Sequence, residues 1–339
     1  MNKTSFLKAE AAVFATYSLK PTARQLRLRT PRMELRVTEV GNGEPTLFLH
    51  GFSLCTAHWA PLLAQLPSLR SIAIDMPGHG GSDGVDFRGV DLRRWFKNML
   101  ISVLDELGLD SVHVVGHSQG AFIGLGFALD APERVRSLVA IGTPAVALGA
   151  RLDSLRFLAR PGIGPLLQSM PKPAWAYRGI LVRTIGLHAV ESAPEELIRA
   201  TYLGTQRWEF GTTISTYLRE MFRGVDTKPQ RYVLTDEELA RIEPPVLIVV
   251  GREDIGFQTT AEVRERAALI PNARFELVIG GHEPWLDDLA STTQEVANFL
   301  IRQPSGDRGS TYRKQEVGTA VGGLDAGASL FKPVAMGPD

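Results

Sequence analysis

Val-His-Val-Val at residues 112–115, then Gly116-His117-Ser118-Gln119-Gly120, then the helical pattern of residues 121–129 form one continuous stretch. An apolar run too short for a helix, a G-x-S-x-G pentapeptide and a helix start make a strand, a sharp turn and a helix, with a serine at the apex. Such a turn lifts the serine oxygen off the sheet edge and forces unusual backbone angles on it. Small residues must therefore flank it on both sides. The free N–H groups at the start of the helix point toward the place where negative charge would develop.

Working outward, further short apolar runs lie at residues 46–49, 71–74, 138–141, 246–250 and 275–279. Strands buried on both faces look like this, because helices cover each side of a parallel sheet. Helical patterns alternate with them at 59–66, 92–107, 121–129, 261–270 and 286–301. The alternation predicts right-handed crossovers and an α/β fold with a doubly wound, mostly parallel sheet. Residues 25–29 and 33–39 alternate polar and apolar and predict two antiparallel strands. The core is thus expected over 25–144 and 242–302. Residues 145–241 lose the alternation, carry Leu, Arg and aromatics, and predict an inserted helical cap. Residues 1–24 form an extension with a short amphipathic helix on Phe6, Val13, Phe14 and Tyr17. Residues 303–339 lack apolar periodicity and predict a disordered tail.

A serine hydroxyl needs a base to remove its proton. Of the seven histidines, His282 stands directly after the last apolar run and before a helix, at the carboxyl edge that also carries Ser118. His58, His113 and His188 lack such a position, and His117 points away from the site in a regular turn of this kind. Asp254 follows the run 246–250 and is the candidate to orient the imidazole, with Glu253 the rival one residue earlier. Two N–H donors are expected for the oxyanion, from Gln119 and from Phe52 in His50-Gly51-Phe52, where Gly51 leaves the backbone open to a substrate.

Composition bounds the alternatives. Lys plus Arg and Asp plus Glu are 37 each, so no long-range field attracts nucleic acid or an anionic surface. Cys55 is the single cysteine, which excludes an internal disulfide and suits a reducing compartment. No segment approaches a membrane span, and residues 1–20 do not make a signal peptide, since Lys8 and Glu10 interrupt them. A cytoplasmic protein acting on a small molecule without metal or organic cofactor is expected. The oligomeric state is left open.

His50-Gly51-Phe52 with Trp59, Asp75-Met76-Pro77-Gly78-His79-Gly80-Gly81-Ser82, the Ser118 pentapeptide, Gly251-Arg252-Glu253-Asp254 and Gly281-His282 together resemble the α/β-hydrolase superfamily. The order Ser118, Asp254, His282 is that family's serine, acid, histidine order. The resemblance implies a capped hydrolase that cleaves an ester, lactone or thioester through an acyl-enzyme. Serine at 118 argues against dehalogenase and epoxide-hydrolase chemistry, which use aspartate there. The loop His50-Gly51-Phe52-Ser53-Leu54 is less glycine-rich than that of proline iminopeptidases and of carbon–carbon bond hydrolases, which lowers both. A lyase, cyclase or perhydrolase on this scaffold, or a receptor that keeps the triad, remains an alternative. Trp175, Trp208 and Phe210 in the cap, and Trp285 after the histidine, are the expected walls of an apolar substrate pocket.

Overall fold

The computed structural model describes residues 3–143, 146, 153–160, 167, 170, 172–206, 208–222, 233–254 and 260–302. The two alternating stretches are β1 (Thr22–Arg29) and β2 (Arg32–Val40). The apolar runs are β3 (Glu44–Leu49), β4 (Leu69–Ile74), β5 (Val112–His117), β6 (Val135–Ile141), β7 (Val246–Gly251) and β8 (Ala273–Val278). They form one eight-stranded sheet in the order β1-β2-β4-β3-β5-β6-β7-β8. β2 runs antiparallel to β1 and β4, and every other pairing is parallel. The strand order reverses between β3 and β5, which opens a crevice at their carboxyl ends. The loops after those two strands carry Phe52 and Ser118.

Side chains along β3 leave on alternate faces: Leu47 and Leu49 join one apolar cluster, Phe48 the other. Helices α3 (Leu92–Leu107) and α4 (Gln119–Asp130) cover the first face. On the second lie α1 (Lys3–Thr16), α2 (Ala60–Ala64) and α13 (Leu289–Arg302). The helix expected at 286–301 is broken into α12 (Pro284–Asp287) and α13, because the Asp288 carboxylate accepts the Ser291 N–H at 3.0 Å and caps the second piece. Between β6 and β7 lie α5 (Asp153–Leu158), α6 (Ala174–Ile185), α7 (Leu187–Ser192), α8 (Glu195–Thr205) and α9 (Trp208–Met221), followed by α10 (Asp236–Leu239); α11 (Thr260–Ala267) follows β7. Leu181 and Leu197 pack with the second apolar cluster, Tyr217 and Leu218 with the first, so these helices straddle both. Residues Met1–Pro304 group as one unit. The tail expected at 303–339 lies outside the described residues. Among the described residues no helix is long and apolar enough to cross a membrane.

The N-terminal segment is built into the core. Phe6, Ala9, Glu10, Val13 and Phe14 of α1 are buried at helical spacing, and α1 packs on α8. Glu10 falls on that apolar stripe, where a carboxylate needs partners. The Arg36 guanidinium supplies two, donating through Nη1 to Glu10 Oε1 (2.8 Å) and through Nη2 to Oε2; Thr56 Oγ1 donates to Oε1 (2.6 Å). Arg36 also donates to Asp75 Oδ2 (3.1 Å), and Asp75 accepts N–H groups of Thr56 and Gly81. Burial pushes the Glu10 carboxyl up, and nearby Asp75 adds to that. Burial would raise Asp75 too, but Arg36, His50 and two backbone N–H groups hold it below the ordinary range. One cation therefore serves two buried carboxyls. Arg36→Met leaves both without it and should cost about 3–5 kcal/mol. Glu10→Ala keeps the Arg36–Asp75 pair and should cost about 1–3 kcal/mol. Urea unfolding of the two variants checks the order, and a reversal would contradict the central place given to Arg36.

Candidate active site

Ser118 stands between β5 and α4 with φ 49° and ψ −112°, a conformation that L-residues adopt only when the surroundings hold them there. Its N–H donates to the Ile141 carbonyl of the neighbouring strand at 2.8 Å, and its carbonyl accepts the Phe122 N–H at 2.9 Å in the first turn of α4. The turn is so tight that a Cβ on Gly120 would stand 1.9 Å from the Leu49 carbonyl oxygen. That closeness brings the start of α4 against the end of β3, and so Gln119 against the Phe52 loop.

His282 is buried in the loop after β8, and its Nδ1 lies 2.9 Å from Asp254 Oδ2. Asp254 is buried while Glu253 is exposed, so the geometry joins the second of the two rival acids to the imidazole. Burial alone would lower the His282 pKa; Asp254, by charge and hydrogen bond, raises it above the ordinary value. Ser118 and His282 face one cavity of about 590 Å³, together with Phe52 and Gln119. Two other acids, Asp75 and Asp105, are engaged elsewhere: Asp75 with Arg36, and Asp105 with Arg134 at 2.7 Å.

Two neutral histidines hold the Phe52 loop. His50 Nδ1–H donates to the Gly51 carbonyl (2.8 Å) and His79 Nδ1–H to the Pro77 carbonyl (2.9 Å). Their Nε2 atoms accept the N–H groups of Met76 (2.9 Å) and Ser53 (3.2 Å). A second ring proton would face a donor. Burial pushes His50 down to about 3 and His79 to about 4. Gly51 has a different reason from the expected one: a Cβ there would meet His117 Nδ1 at 2.6 Å, so it makes room for a ring of the protein rather than for a substrate.

His117 is not idle. Its Nε2–H donates to the His282 carbonyl at 2.9 Å, which ties the turn around Ser118 to the histidine loop. Behind it, Glu283 Oε2 lies 3.0 Å from His58 Nδ1. His58 Nε2 donates to Thr201 Oγ1 (2.7 Å), since the Thr201 hydroxyl proton goes to the Leu197 carbonyl. A buried polar chain thus joins the His282 loop to α8. Sequence inspection missed it because no spacing relates residues 58, 117, 201 and 283.

The expected pocket walls fare unevenly. Phe210 is buried, lines the cavity and stands edge-on to His79 at 5.2 Å. Trp285 does not line it: the ring stacks on Trp59 at 4.8 Å and donates Nε1–H to the His58 carbonyl, beneath the histidine loop. Trp175 is 83% exposed on α6 and also lies off the lining. Trp208 starts α9, and its side chain lies outside the described residues. The missed lining is largely aliphatic, including Leu155, Leu158, Leu181, Leu218 and Met221. Among the described residues no group of three or more His, Cys, Asp or Glu could hold a metal ion.

A family model described as alpha/beta hydrolase fold matches residues 44–289. The chain is 27% identical over 298 residues to a 2-hydroxy-6-oxononadienedioate/2-hydroxy-6-oxononatrienedioate hydrolase of Paraburkholderia phymatum, covering 84% of this chain and 98% of that protein. It is 24% identical over 270 residues to carboxylesterase YbfK of Bacillus subtilis, covering 75% and 79%. The crystal structure of the latter, CesB (YbfK), superposes with a TM-score of 0.71 at 23% identity, over 88% of this chain and 98% of that one. Relatives named as 2-hydroxy-6-oxononadienedioate hydrolase and as carboxylesterase are thus both similar to this chain, so the carbon–carbon alternative is not lowered as the few glycines after β3 led one to expect.

The depressed histidines set a pH dependence. In the unfolded chain His50 and His79 titrate near 6.5, in the fold near 3 and 4. Stability is complete above the unfolded value and is lost as pH falls from there toward 4, by about 1.4 kcal/mol per pH unit for each such histidine. Urea midpoints at pH 7, 6 and 5 should fall accordingly, and His79→Gln should flatten the slope by one histidine's share.

Proposed function

The chain belongs to the alpha/beta hydrolase fold family, and from that premise we propose that it is a serine hydrolase of apolar esters with Ser118 as nucleophile. Ser118 Oγ attacks the substrate carbonyl while the free imidazole nitrogen of His282 takes its proton. Asp254 keeps the other proton on Nδ1 and stabilises the imidazolium. The N–H groups of Phe52 and Gln119 hold the oxyanion. His282 then protonates the departing alcohol, and a water activated by the same imidazole releases the acid. The observation that carries this reading is the His282–Asp254 bond at 2.9 Å beside a strained Ser118 on one apolar cavity.

The helices α5, α6, α8 and α9 act as a cap in this proposal, since they contribute most of the cavity wall and exclude water from the acyl group. A second reading is cleavage of a carbon–carbon bond in a 2-hydroxy-6-oxo acid, favoured by the Paraburkholderia phymatum relative. Lys172 and Arg183 at the cavity would then face a substrate carboxylate. A single cysteine, Cys55, leaves no internal disulfide, which suits a reducing, cytoplasmic setting.

Ser118→Ala should abolish hydrolysis of p-nitrophenyl butyrate while leaving the circular dichroism spectrum intact; full activity would sink the assignment. The wild type, assayed beside that ester on a 2-hydroxy-6-oxo dienoate, should prefer the ester by at least about a hundredfold in kcat/KM. The reverse preference selects the second reading. The base must be neutral to accept a proton, so activity should rise with pH through a value above the ordinary imidazole pKa. Asp254→Asn removes the carboxylate that raises it. The variant should lose roughly a thousandfold or more in kcat, and its residual limb should move to lower pH.

Phe210→Ala tests the cavity wall. It should change relative kcat/KM among acyl chain lengths by about tenfold, the worth of a methylene or two in an apolar pocket. Labelling by a small fluorophosphonate should persist.

A further inference from the structure

The mouth of the cavity is apolar and basic at once. Phe157, Leu167 and Ile180 line the cavity yet are 43%, 39% and 42% exposed. Met170 is 53% exposed, and Trp175 stands on the outer face of α6, one helical turn from Gly179 and two from the exposed Arg183. Single exposed apolar residues are ordinary; three large ones on one cavity's rim, with two more within residues 157–180, are an unusual concentration. Charge follows the same stretch. Residues 153–185 hold the cations Arg156, Arg160, Lys172, Arg178 and Arg183 against one acid, Asp153, in a chain whose net charge is zero. Arg178 is paired with Glu195. Arg156 and Arg160 are exposed, their guanidiniums over the rings of Phe222 and Phe157.

We propose that this rim seats on the surface of an anionic phospholipid bilayer and that the cavity draws its acyl substrate from there. Tryptophan and aliphatic side chains enter the boundary between headgroups and acyl chains, and arginines pair with the phosphates just outside. Charge selects the partner. A second copy docked by the same face would set cation against cation, whereas an anionic bilayer complements it. An apolar acyl ester is held in bilayers rather than in water, so a mouth that touches the bilayer spares the substrate a passage through solvent. The binding half stands on the rim alone; the substrate half rests on the serine-hydrolase reading.

The test is sedimentation with large unilamellar vesicles of phosphatidylcholine alone or with 30% phosphatidylglycerol, together with hydrolysis of monomeric p-nitrophenyl butyrate. (An anionic fraction of about this size gives the surface charge that attracts basic segments.) The full chain should bind the anionic vesicles at least about tenfold more tightly than the neutral ones, and less tightly as salt rises. Trp175→Ser and Arg160→Glu alter exposed residues off the cavity lining. Each should weaken vesicle binding about tenfold, near the worth of one interfacial anchor or one reversed charge, with butyrate hydrolysis unchanged. Ser118→Ala should bind vesicles like the wild type. Failure to bind anionic vesicles, equal binding to neutral ones, or wild-type binding by both surface variants would overturn the proposal. So would a dimer in solution that Trp175→Ser dissociates while vesicles go unbound. Vesicle binding by a chain that hydrolyses no ester would leave the surface standing and remove the serine-hydrolase reading instead.

Discussion

The positive φ of Ser118 is the constraint from which the site is organised. A serine in that conformation is costly by about 1–3 kcal/mol, and it persists because the Ile141 carbonyl, the first turn of α4 and the contact of Gly120 with Leu49 leave it no alternative. The same contact sets α4 beside the loop after β3, so the two N–H groups proposed for the oxyanion belong to elements that cannot move apart independently. His117, next to the serine, then binds the His282 carbonyl, and the histidine loop is positioned by the turn it serves.

Around this centre, charges buried on the second face of the sheet have been matched rather than avoided. Asp75 fixes the turn through Gly81 and the segment at Thr56; Arg36 satisfies Asp75 and at the same time Glu10. A helix that begins at the third residue thereby becomes part of the interior. Glu283 and His58 do the same work toward α8 through Thr201. Breaking such a set on one side leaves a buried charge or donor alone, which is why it ties segments together more firmly than an equal area of apolar contact would.

The helices between β6 and β7 have a different character. Their inner side chains are aliphatic and aromatic and enclose the cavity, while the outer ones at its mouth are apolar and cationic. On the proposed function, a cavity that takes an apolar acyl ester and a mouth that seats on an anionic bilayer would belong together physically, since such an ester partitions into lipid rather than water.

Much of this is legible in the sequence itself. Apolar runs such as residues 46–49 and 246–250 are buried on both faces of a parallel sheet, and a run of that kind followed by G-x-S-x-G carries its own local geometry, so the fold and the candidates Ser118 and His282 could be read from short-range pattern. The order of the remaining motifs along the chain pointed to Asp254. What only the tertiary structure decided are relations between segments far apart in sequence. The choice of Asp254 over Glu253 turned on which side chain faces inward from a loop. The removal of Trp285 from the pocket depended on Trp59 lying beneath it. The incorporation of residues 3–16 into the core depended on Arg36, since a carboxylate on an apolar helix stripe reads as an interruption until its partner is seen. Local periodicity records which way a side chain points relative to its neighbours in the chain; the partner it meets across the interior is fixed by the packing alone.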